Sequence, residues 1–178
     1  MSNIIIYGSH YGTTKQYAEE LSKRTNIKAI SFKKVNQQID NYDNIIYLGG
    51  LYAGGVLGLS KTLKKVNNIS KKGIIIVTVG LSDPSDEVNK NNIRNNIKSQ
   101  IPKEIFDNAK IFHLRGGIDY SKLNFAHKTM MKLLYNAVKN LPEERQTAED
   151  RAMIETYNKK VDFINYSSLD QIINTIQK

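Results

Sequence analysis

The sequence has 178 residues, of which 40% are hydrophobic and 24% are charged. These values are typical of a soluble globular protein and predict a single domain over residues 1–178. The absence of cysteine excludes disulfides, cysteine-zinc sites, iron–sulfur ligation and thiol catalysis. The longest apolar runs, such as residues 73–77, are too short to cross a bilayer.

The chain carries 26 lysines and arginines against 17 acidic residues, a formal net charge of +9. A basic surface suits an acidic substrate, an acidic partner or an anionic membrane surface, and solvated lysines are the simpler alternative. The lysines are spread along the chain and no nucleic-acid module is visible, so we expect no nucleic-acid partner. The first strand begins too early for a signal peptide, and we expect a cytoplasmic protein.

The first structural unit is a strand, a short loop and a helix. The run at residues 4–7 predicts a buried parallel strand because it is β-branched and lacks polar alternation. A helix is predicted over residues 13–24. Free backbone N–H groups and the positive end of the helix dipole meet at such a junction and attract an anion. The sequence therefore predicts a phosphate-binding loop that is formed by Ser9, His10, Tyr11, Gly12, Thr13 and Thr14. The alternative is a hydroxyl-rich turn that only caps its helix.

The loop lacks both G-x-x-x-x-G-K-[ST] and G-x-G-x-x-G, which argues against an ordinary P-loop and a dinucleotide-binding Rossmann turn. Its order of apolar, aromatic, hydroxyl and small residues instead resembles the flavodoxin signature. Every fixed position is filled, by Ile5, Ile6, Tyr7, Ser9, Gly12, Thr14, Ala18 and Leu21. The resemblance implies an FMN cofactor whose phosphate lies in this loop.

A second loop rich in glycine follows the third predicted strand. Residues 27–32 alternate like an edge strand, residues 33–42 form a weak crossover, and residues 44–48 are continuously apolar. The glycines of the loop at residues 49–55 let the backbone approach a flat ring. The flavodoxin resemblance implies that the flavin ring is held by Gly50, Leu51, Tyr52, Ala53 and Gly54, with Tyr52 stacking on it. Alternatively, Tyr52 only anchors the loop on the core.

A third loop follows the fourth predicted strand, residues 74–79, which comes after a predicted helix at residues 57–66. Flavodoxins often place a second aromatic residue in this loop, and none is present here. One face of the flavin would therefore lack an aromatic partner, while Ser82 and backbone amides would bond the ring edge. The residues that the resemblance assigns to the ring in this loop are Gly80, Leu81, Ser82 and Asp83.

The fifth predicted strand covers residues 109–115, after a helix that ends near Ser99 and a short turn at residues 102–106. Five strands that alternate with helices predict a parallel sheet with right-handed crossovers. Together with the resemblance, this predicts an α/β flavodoxin-like three-layer sandwich whose five-stranded parallel sheet has the order 2-1-3-4-5.

The chain beyond residue 115 is longer than a minimal flavodoxin requires. We predict a helical insertion over about residues 116–159 that interrupts strand five, with a further strand at residues 160–164 and a last helix at residues 168–176. An amphipathic helix at residues 121–140 carries lysines on one side, and residues 141–151 read as a polar loop or loose helix. The apolar side of the amphipathic helix carries Met130, Met131, Leu134, Ala137, Val138 and Leu141.

Three roles are open for that inserted helix. Its apolar side packs on the domain while its lysines are solvated; or the helix contacts a membrane surface or a quinone reductase; or it forms a dimer contact. The Arg115–Tyr120 turn, the basic methionine-rich helix and the Val161–Phe163 segment resemble the menaquinone-dependent protoporphyrinogen oxidase group. This resemblance implies electrons taken from a porphyrinogen and delivered to a quinone, with Arg115 and Gly116 closing over the flavin or meeting the donor.

Two alternatives to that enzyme remain: an electron carrier that acts on a redox partner protein, and a module that has lost its flavin. The three histidines, His10, His113 and His127, do not form a metal-binding spacing with carboxylates, so we expect no metal site. No Ser-His-Asp arrangement can be assembled. We therefore predict no catalytic side chain, because the flavin would carry the redox chemistry.

Overall fold

The computed structural model describes residues 1–52 and 54–177. The first part of the chain alternates strands and helices, with short 3-10 turns in several connections. Its elements are β1 (Asn3–Gly8), α1 (Thr13–Thr25), β2 (Ala29–Ser31), β3 (Asn44–Tyr52), β4 (Gly55–Val56), α2 (Leu59–Leu63), β5 (Gly73–Gly80), α3 (Glu87–Gln100), α4 (Lys103–Asn108) and β6 (Lys110–Arg115). The remaining elements are β7 (Gly117–Asp119), α5 (Phe125–Val138), α6 (Ala148–Thr156), β8 (Lys160–Asp162) and α7 (Asp170–Ile176).

The central sheet has five parallel strands in the order β2-β1-β3-β5-β6. This confirms the predicted order 2-1-3-4-5, because β5 and β6 are the fourth and fifth of the predicted strands. The sequence did not predict β4, a short strand that pairs antiparallel with the end of β3, with Leu51 opposite Val56. The hairpin extends β3 beyond its predicted end, from residue 48 to Tyr52.

Both faces of the sheet are covered by helices, which confirms the three-layer architecture. On one face, side chains such as Ile6 and Ile76 pack against α2, α3 and α4. On the other face, Ile5 and Val77 pack against α1 and α7. Coverage on both faces explains why the strands are continuously apolar rather than alternating.

The prediction that the insertion interrupts strand five was wrong. The strand is complete at Arg115, and the later strand β8 pairs antiparallel with β7 in a separate two-stranded sheet. The chain leaves the main sheet at Gly116, whose N–H donates to the Gly80 carbonyl at 2.7 Å. The Gly116 carbonyl in turn accepts from the Phe163 N–H at 3.1 Å, so the two ends of the insertion are hydrogen-bonded to each other.

Two helices lie where the sequence predicted less regular structure. Helix α4 replaces the predicted turn, and α6 lies partly within the predicted polar loop. The start of α6 is fixed by a capping box, in which Thr147 Oγ1 accepts from the Asp150 N–H at 3.1 Å and the Asp150 carboxylate accepts from the Thr147 N–H at 2.9 Å. This T-x-x-D pattern was visible in the sequence and was missed.

The insertion has a small hydrophobic cluster of its own, built from Ile118, Tyr120, Leu123 and Met131. Helix α5 is shorter than predicted, and Leu134, expected on its packed side, is 43% exposed. Over the described ranges, none of the helices is both long enough and apolar enough to cross a membrane.

Candidate functional site

A cavity of about 310 Å³ lies between the carboxyl ends of the central strands and the helices of the insertion. Its floor is formed by the start of α1, its walls by the loops after β3 and β5, and its roof by α5 and α6. Ligands bind at this end of parallel sheets, next to the point where the strand order reverses. The cavity volume lies within the range of small-molecule sites.

The floor of the cavity is the N-terminus of α1. Gly12 is the residue before the helix, and no side chain caps the first turn. The Ser9 hydroxyl accepts from the Gly12 N–H at 3.1 Å and so shapes the preceding turn instead of capping the helix. The N–H groups of a first helical turn have no partner within their helix, so this floor presents donors and the positive end of a dipole. The capping alternative is therefore not the arrangement observed.

Two threonine side chains reach the cavity from the first turn of α1, and two glycines make room for them. A Cβ atom on Gly50 would lie 3.1 Å from Thr14 Oγ1, and a Cβ on Gly116 would lie 3.0 Å from Thr13 Oγ1. Any larger residue at either glycine would displace a hydroxyl from the floor. Thr14 is only 3% exposed, so its position is set by packing.

The walls are loops that are fastened to neighbouring elements. The Val56 N–H donates to Gln100 Oε1 at 3.1 Å, which ties the β3–β4 hairpin to the end of α3. In the loop after β5, the buried Ser82 hydroxyl accepts from Asn89 Nδ2 at 3.1 Å. Both walls are thereby held by α3, and backbone groups of the two loops line the space between them.

The roof of the cavity is apolar and comes from the insertion. Met130, Met131 and Val138 of α5 and Ala152 and Met153 of α6 are among its residues. Hydroxyl–sulfur contacts hold α5 to the loops below, because the Tyr52 hydroxyl lies 3.2 Å from Met130 Sδ and the Tyr11 hydroxyl 3.9 Å from Met131 Sδ. Helix α5 therefore covers the cavity at the carboxyl ends of the central strands.

Four rings form a cluster where the roof meets the loops. The His10 ring centroid lies 4.3 Å from that of Tyr52 and 5.0 Å from that of His127, and Tyr11 lies 5.8 Å from His127. Burial lowers the pKa of His10, and the nearby His127 and Lys33 lower it further. His10 is therefore neutral at pH 7. Tyr52, predicted to stack on a flavin, packs against His10 in this structure.

The charges at the cavity are acidic. No lysine or arginine lines it in the part of the chain that the structure describes, whereas Glu149 and Asp150 of α6 do. Partial desolvation raises the pKa of the Glu149 carboxyl, and the neighbouring Asp150 raises it further. The Glu149 side chain stays exposed to water. Asp150 is held by the Thr147 capping box.

Arg115 and Asp83 stand outside the cavity and support its loop. The Arg115 Nε donates to the Leu81 carbonyl at 2.9 Å, and its guanidinium carbon lies 3.7 Å from the centroid of the Phe163 ring. Asp83 accepts from the Ser85 N–H and hydroxyl, and these bonds lower the pKa of its carboxyl. Arg115 thus links the loop after β5 to the end of the insertion, instead of facing the site directly.

The predicted site residues converge on this cavity. Twelve of the seventeen line it, namely His10, Tyr11, Thr13, Thr14, Gly50, Leu51, Tyr52, Gly54, Gly80, Leu81, Ser82 and Gly116. Ser9, Gly12, Asp83 and Arg115 do not line it, and Ala53 lies outside the described residues. The roles of all seventeen residues in binding stay predictions.

The roof and His127 were missed as parts of the site. The paired methionines on the apolar side of α5 were a usable signal, because methionine adapts to irregular binding surfaces. Across the described ranges, no group of three or more His, Cys, Asp or Glu side chains is placed to hold a metal ion.

Comparisons with known proteins found solved structures of similar fold and one matching family. The structure is similar to a Fusobacterium nucleatum flavodoxin bound to flavin mononucleotide, at 16% identity and a TM-score of 0.45, covering 70% of this chain and 75% of that one. It is also similar to a flavodoxin, WrbA-like protein from Agrobacterium tumefaciens, at 18% identity and a TM-score of 0.43, covering 62% and 76% of the two chains. No curated protein sequence matches the chain.

The sequence matches the flavodoxin domain family over residues 4–145, which is most of its length. The match includes the loop at the start of α1, both wall loops and helix α5. It therefore extends over the main sheet and a large part of the insertion. This chain belongs to the flavodoxin domain family.

Proposed function

We propose that this protein binds FMN in the cavity and works as an oxidoreductase like the menaquinone-dependent protoporphyrinogen oxidases, passing electrons from a porphyrinogen-like donor to a quinone. The observation that carries the proposal is the convergence of an uncapped helix N-terminus, two threonine hydroxyls and two glycine-bearing loops on one roofed cavity. Membership of the flavodoxin domain family adds to it. The Fusobacterium nucleatum flavodoxin with bound flavin mononucleotide is consistent with the same cofactor.

The residues present suit the two ends of FMN. Thr13, Thr14 and the free N–H groups of the first turn of α1 would hold the phosphate, because this end of a helix attracts anions. The glycine-bearing loops at residues 50–55 and 80–82 would hold the ring through backbone contacts. When bound, FMN supplies one- and two-electron redox chemistry that none of the protein's own side chains provides.

The protein would contribute position and exclusion of water. Helices α5 and α6 cover the cavity with methionine, leucine, valine and alanine side chains. Such a roof suits a large apolar donor or acceptor, and a water-poor site suppresses side reactions. Arg115 would act as a positioning residue, because it holds the Leu81 carbonyl from outside the cavity.

The charge of the cavity predicts a low potential for full reduction of the flavin. The phosphate would face neutral hydroxyl and amide donors, and the cavity contains two acidic residues and no lysine or arginine among those described. Additional negative charge on a reduced flavin is therefore disfavoured. A redox titration that gave a high-potential two-electron couple would contradict this part of the proposal.

The cofactor proposal is tested by replacing Thr14 with valine, which keeps the shape of the side chain and removes its hydroxyl. We expect the affinity for FMN to fall by about tenfold to a hundredfold, because a hydrogen bond to a charged group is worth about 1.5–3 kcal/mol. Absorption and fluorescence titration of purified protein with FMN measure it. The matched control is Thr175→Val on α7, where the hydroxyl bonds the Gln171 carbonyl away from the cavity.

An unchanged affinity in Thr14→Val would contradict the placement of the phosphate. Protein that stays colourless and shows no thermal shift with added FMN would instead support a module that has lost its flavin. Anaerobic assays of FMN-loaded protein with porphyrinogen and quinone separate the enzyme from the carrier. Porphyrin formation that depends on quinone is expected of the enzyme.

A pure electron carrier is the second candidate, and the net charge of +9 favours it, since an acidic redox partner protein would be attracted. Fast electron exchange with a partner protein, without turnover of either small molecule, would support this carrier.

A further inference from the structure

Helix α5 has a second side that the cavity does not use. Its inward side carries the methionines of the roof, and its outward side is exposed. Lys128, Lys132 and Lys139 are spaced by four and seven residues and form one row along the outward side, which we call the lysine row. Beside it, Phe125 and Leu133 are 86% and 66% exposed and form what we call the apolar strip.

The apolar strip is unusual for this molecule. Of the five large hydrophobic side chains exposed in the described residues, three lie on α5: Phe125 and Leu133 of the apolar strip, and Leu134, which lines the cavity. The other two, Met1 and Val88, stand apart from it. Single exposed apolar residues need no explanation, but a group beside a cavity and a row of charges marks an interaction site.

The lysine row has no acidic counterpart on its helix. The sequence from Tyr120 to Pro142 contains four lysines and no aspartate or glutamate. None of the ion pairs found among the described residues involves Lys128, Lys132 or Lys139. Glu143 and Glu144 follow the helix, beyond its last turn. The outward side of α5 is therefore positively charged along its whole length.

We propose that the lysine row and the apolar strip bind the surface of an anionic lipid bilayer, with α5 lying in the plane of the interface. Amphipathic helices that combine lysines with exposed aromatic and aliphatic side chains bind membrane surfaces in this way. The lysines match anionic headgroups, and the exposed Phe125 and Leu133 match the apolar side that such helices bury below the headgroups. An acidic protein partner is the other occupant that the lysines would attract, and the vesicle experiment separates the two.

The same helix would then face two environments. Its outward side contacts lipid while Met130, Met131 and Val138 line the cavity on its inward side. The roof of the cavity would then lie next to the bilayer surface. Lipid binding requires no flavin, and this inference stands or falls independently of the proposed function.

The test is co-sedimentation of the whole protein with vesicles of phosphatidylcholine, with and without phosphatidylglycerol. We expect binding to the anionic vesicles only. The K128Q/K132Q/K139Q variant should bind about a hundredfold more weakly, because each lysine near an anionic surface contributes about a fivefold factor. The F125S/L133S variant should lose about tenfold or more, because its side chains no longer enter the interface.

Each variant has a matched control elsewhere on the surface. K61Q/K64Q/K71Q removes the same charge from exposed lysines around α2, and Val88→Ser removes an exposed apolar residue on α3. Both controls should keep most of the affinity for vesicles. Circular dichroism and FMN titration of all variants report whether the fold and the cavity are intact.

Several outcomes would overturn the proposal. Wild-type protein that does not sediment with anionic vesicles would do so, as would equal losses in the variants and their controls. Vesicle binding that is unchanged in F125S/L133S and lost in salt would mean that the lysines act alone, as they would towards an acidic protein, and would overturn the assignment to lipid.

Discussion

The central sheet and the insertion differ in how many of their large side chains are buried. All of the largest fully buried side chains belong to the sheet and its covering helices, including Ile5, Tyr47 and Leu169. The insertion, residues 116–163, buries five hydrophobic residues, four of which form a small separate cluster, and it exposes Phe125 and Leu133. The sheet therefore supplies the stability of the fold, whereas the insertion supplies a cover for the site.

The two regions are joined mainly by polar and ring contacts. Tyr52 and Tyr11 reach the methionine sulfurs of α5, and His10 lies beside His127. At the other end of the insertion, the Tyr17 hydroxyl donates to the Arg115 carbonyl at 2.8 Å and accepts from the Asn165 N–H at 2.9 Å. Tyr17 of helix α1 therefore holds both ends of the insertion, while the middle of the insertion rests on the loops.

The largest expected effect is the loss of stability when one buried side chain is shortened to alanine in each region. Leu21→Ala on α1 should lower the free energy of unfolding by about 3–5 kcal/mol, because a fully buried leucine leaves a cavity between rigid neighbours. Met131→Ala on α5 should cost about 2 kcal/mol, because the small cluster around it can collapse. Chemical denaturation of both variants measures the two losses.

Hydrogen exchange separates the regions further. Met131→Ala should speed amide exchange in α5 and leave the central strands protected, because local opening of the insertion does not require the sheet to unfold. If amide exchange became equally faster in α5 and in β3, the sheet and the insertion would unfold as one cooperative unit, which would contradict the separation of the two regions.

The next effect concerns pH and compares His113 of the sheet with His10 of the loop between β1 and α1. His113 on β6 is hydrogen-bonded to the buried Thr78 hydroxyl at 2.7 Å, and burial lowers its pKa from 6.5 to about 4, with Arg94 and Lys90 adding to the shift. The unfolded chain therefore binds a proton between pH 6.5 and 4 that the folded protein does not. Stability should fall as the pH drops through this range, by about 2 kcal/mol once the partial exposure of the ring is allowed for.

The matched measurement compares the wild type with His113→Gln and with His10→Gln. The difference in unfolding free energy between wild type and His113→Gln should change between pH 6.5 and 4 and level off below pH 4. The pKa of His10 is also lowered, with burial as the largest cause, and we expect the same sign and a smaller change. A flat difference curve for His113→Gln would show that folding does not lower the pKa of His113.

Most of the sheet could be predicted from the sequence, since local patterns determine it. Continuous β-branched runs such as residues 73–77 occur where both faces of a strand are covered, and a hydroxyl-rich junction after the first run predicted the floor of the cavity. Both depend on residues that are close together in the chain. The family match over residues 4–145 agrees with that prediction.

The insertion was harder to predict because its partners are distant in sequence. The spacing of α5 shows an apolar side, but it does not show that this side covers Tyr11 and Tyr52, more than 75 residues away. Likewise, the pattern at residues 160–164 predicts a strand, while the antiparallel pairing of that strand with β7 follows from where the chain leaves Gly116. In the insertion, the start of α6 was encoded by neighbouring residues and was still missed.

The smallest predicted effect tests whether α6 acts on the cofactor proposed for the cavity. Glu149 lines the cavity and makes no ion pair within the part of the chain described. A unit charge acting across about 10 Å at an effective dielectric constant of about 20 is worth about 1.7 kcal/mol. Glu149→Gln should therefore raise the two-electron potential of bound FMN by about 35 mV, because one negative charge no longer opposes reduction. Glu155→Gln, an exposed acid of the same helix that does not line the cavity, is the matched control and should leave the potential nearly unchanged. An equal shift in both variants would show only the general field of the protein, and no shift in Glu149→Gln would remove α6 from the electrostatics of the site.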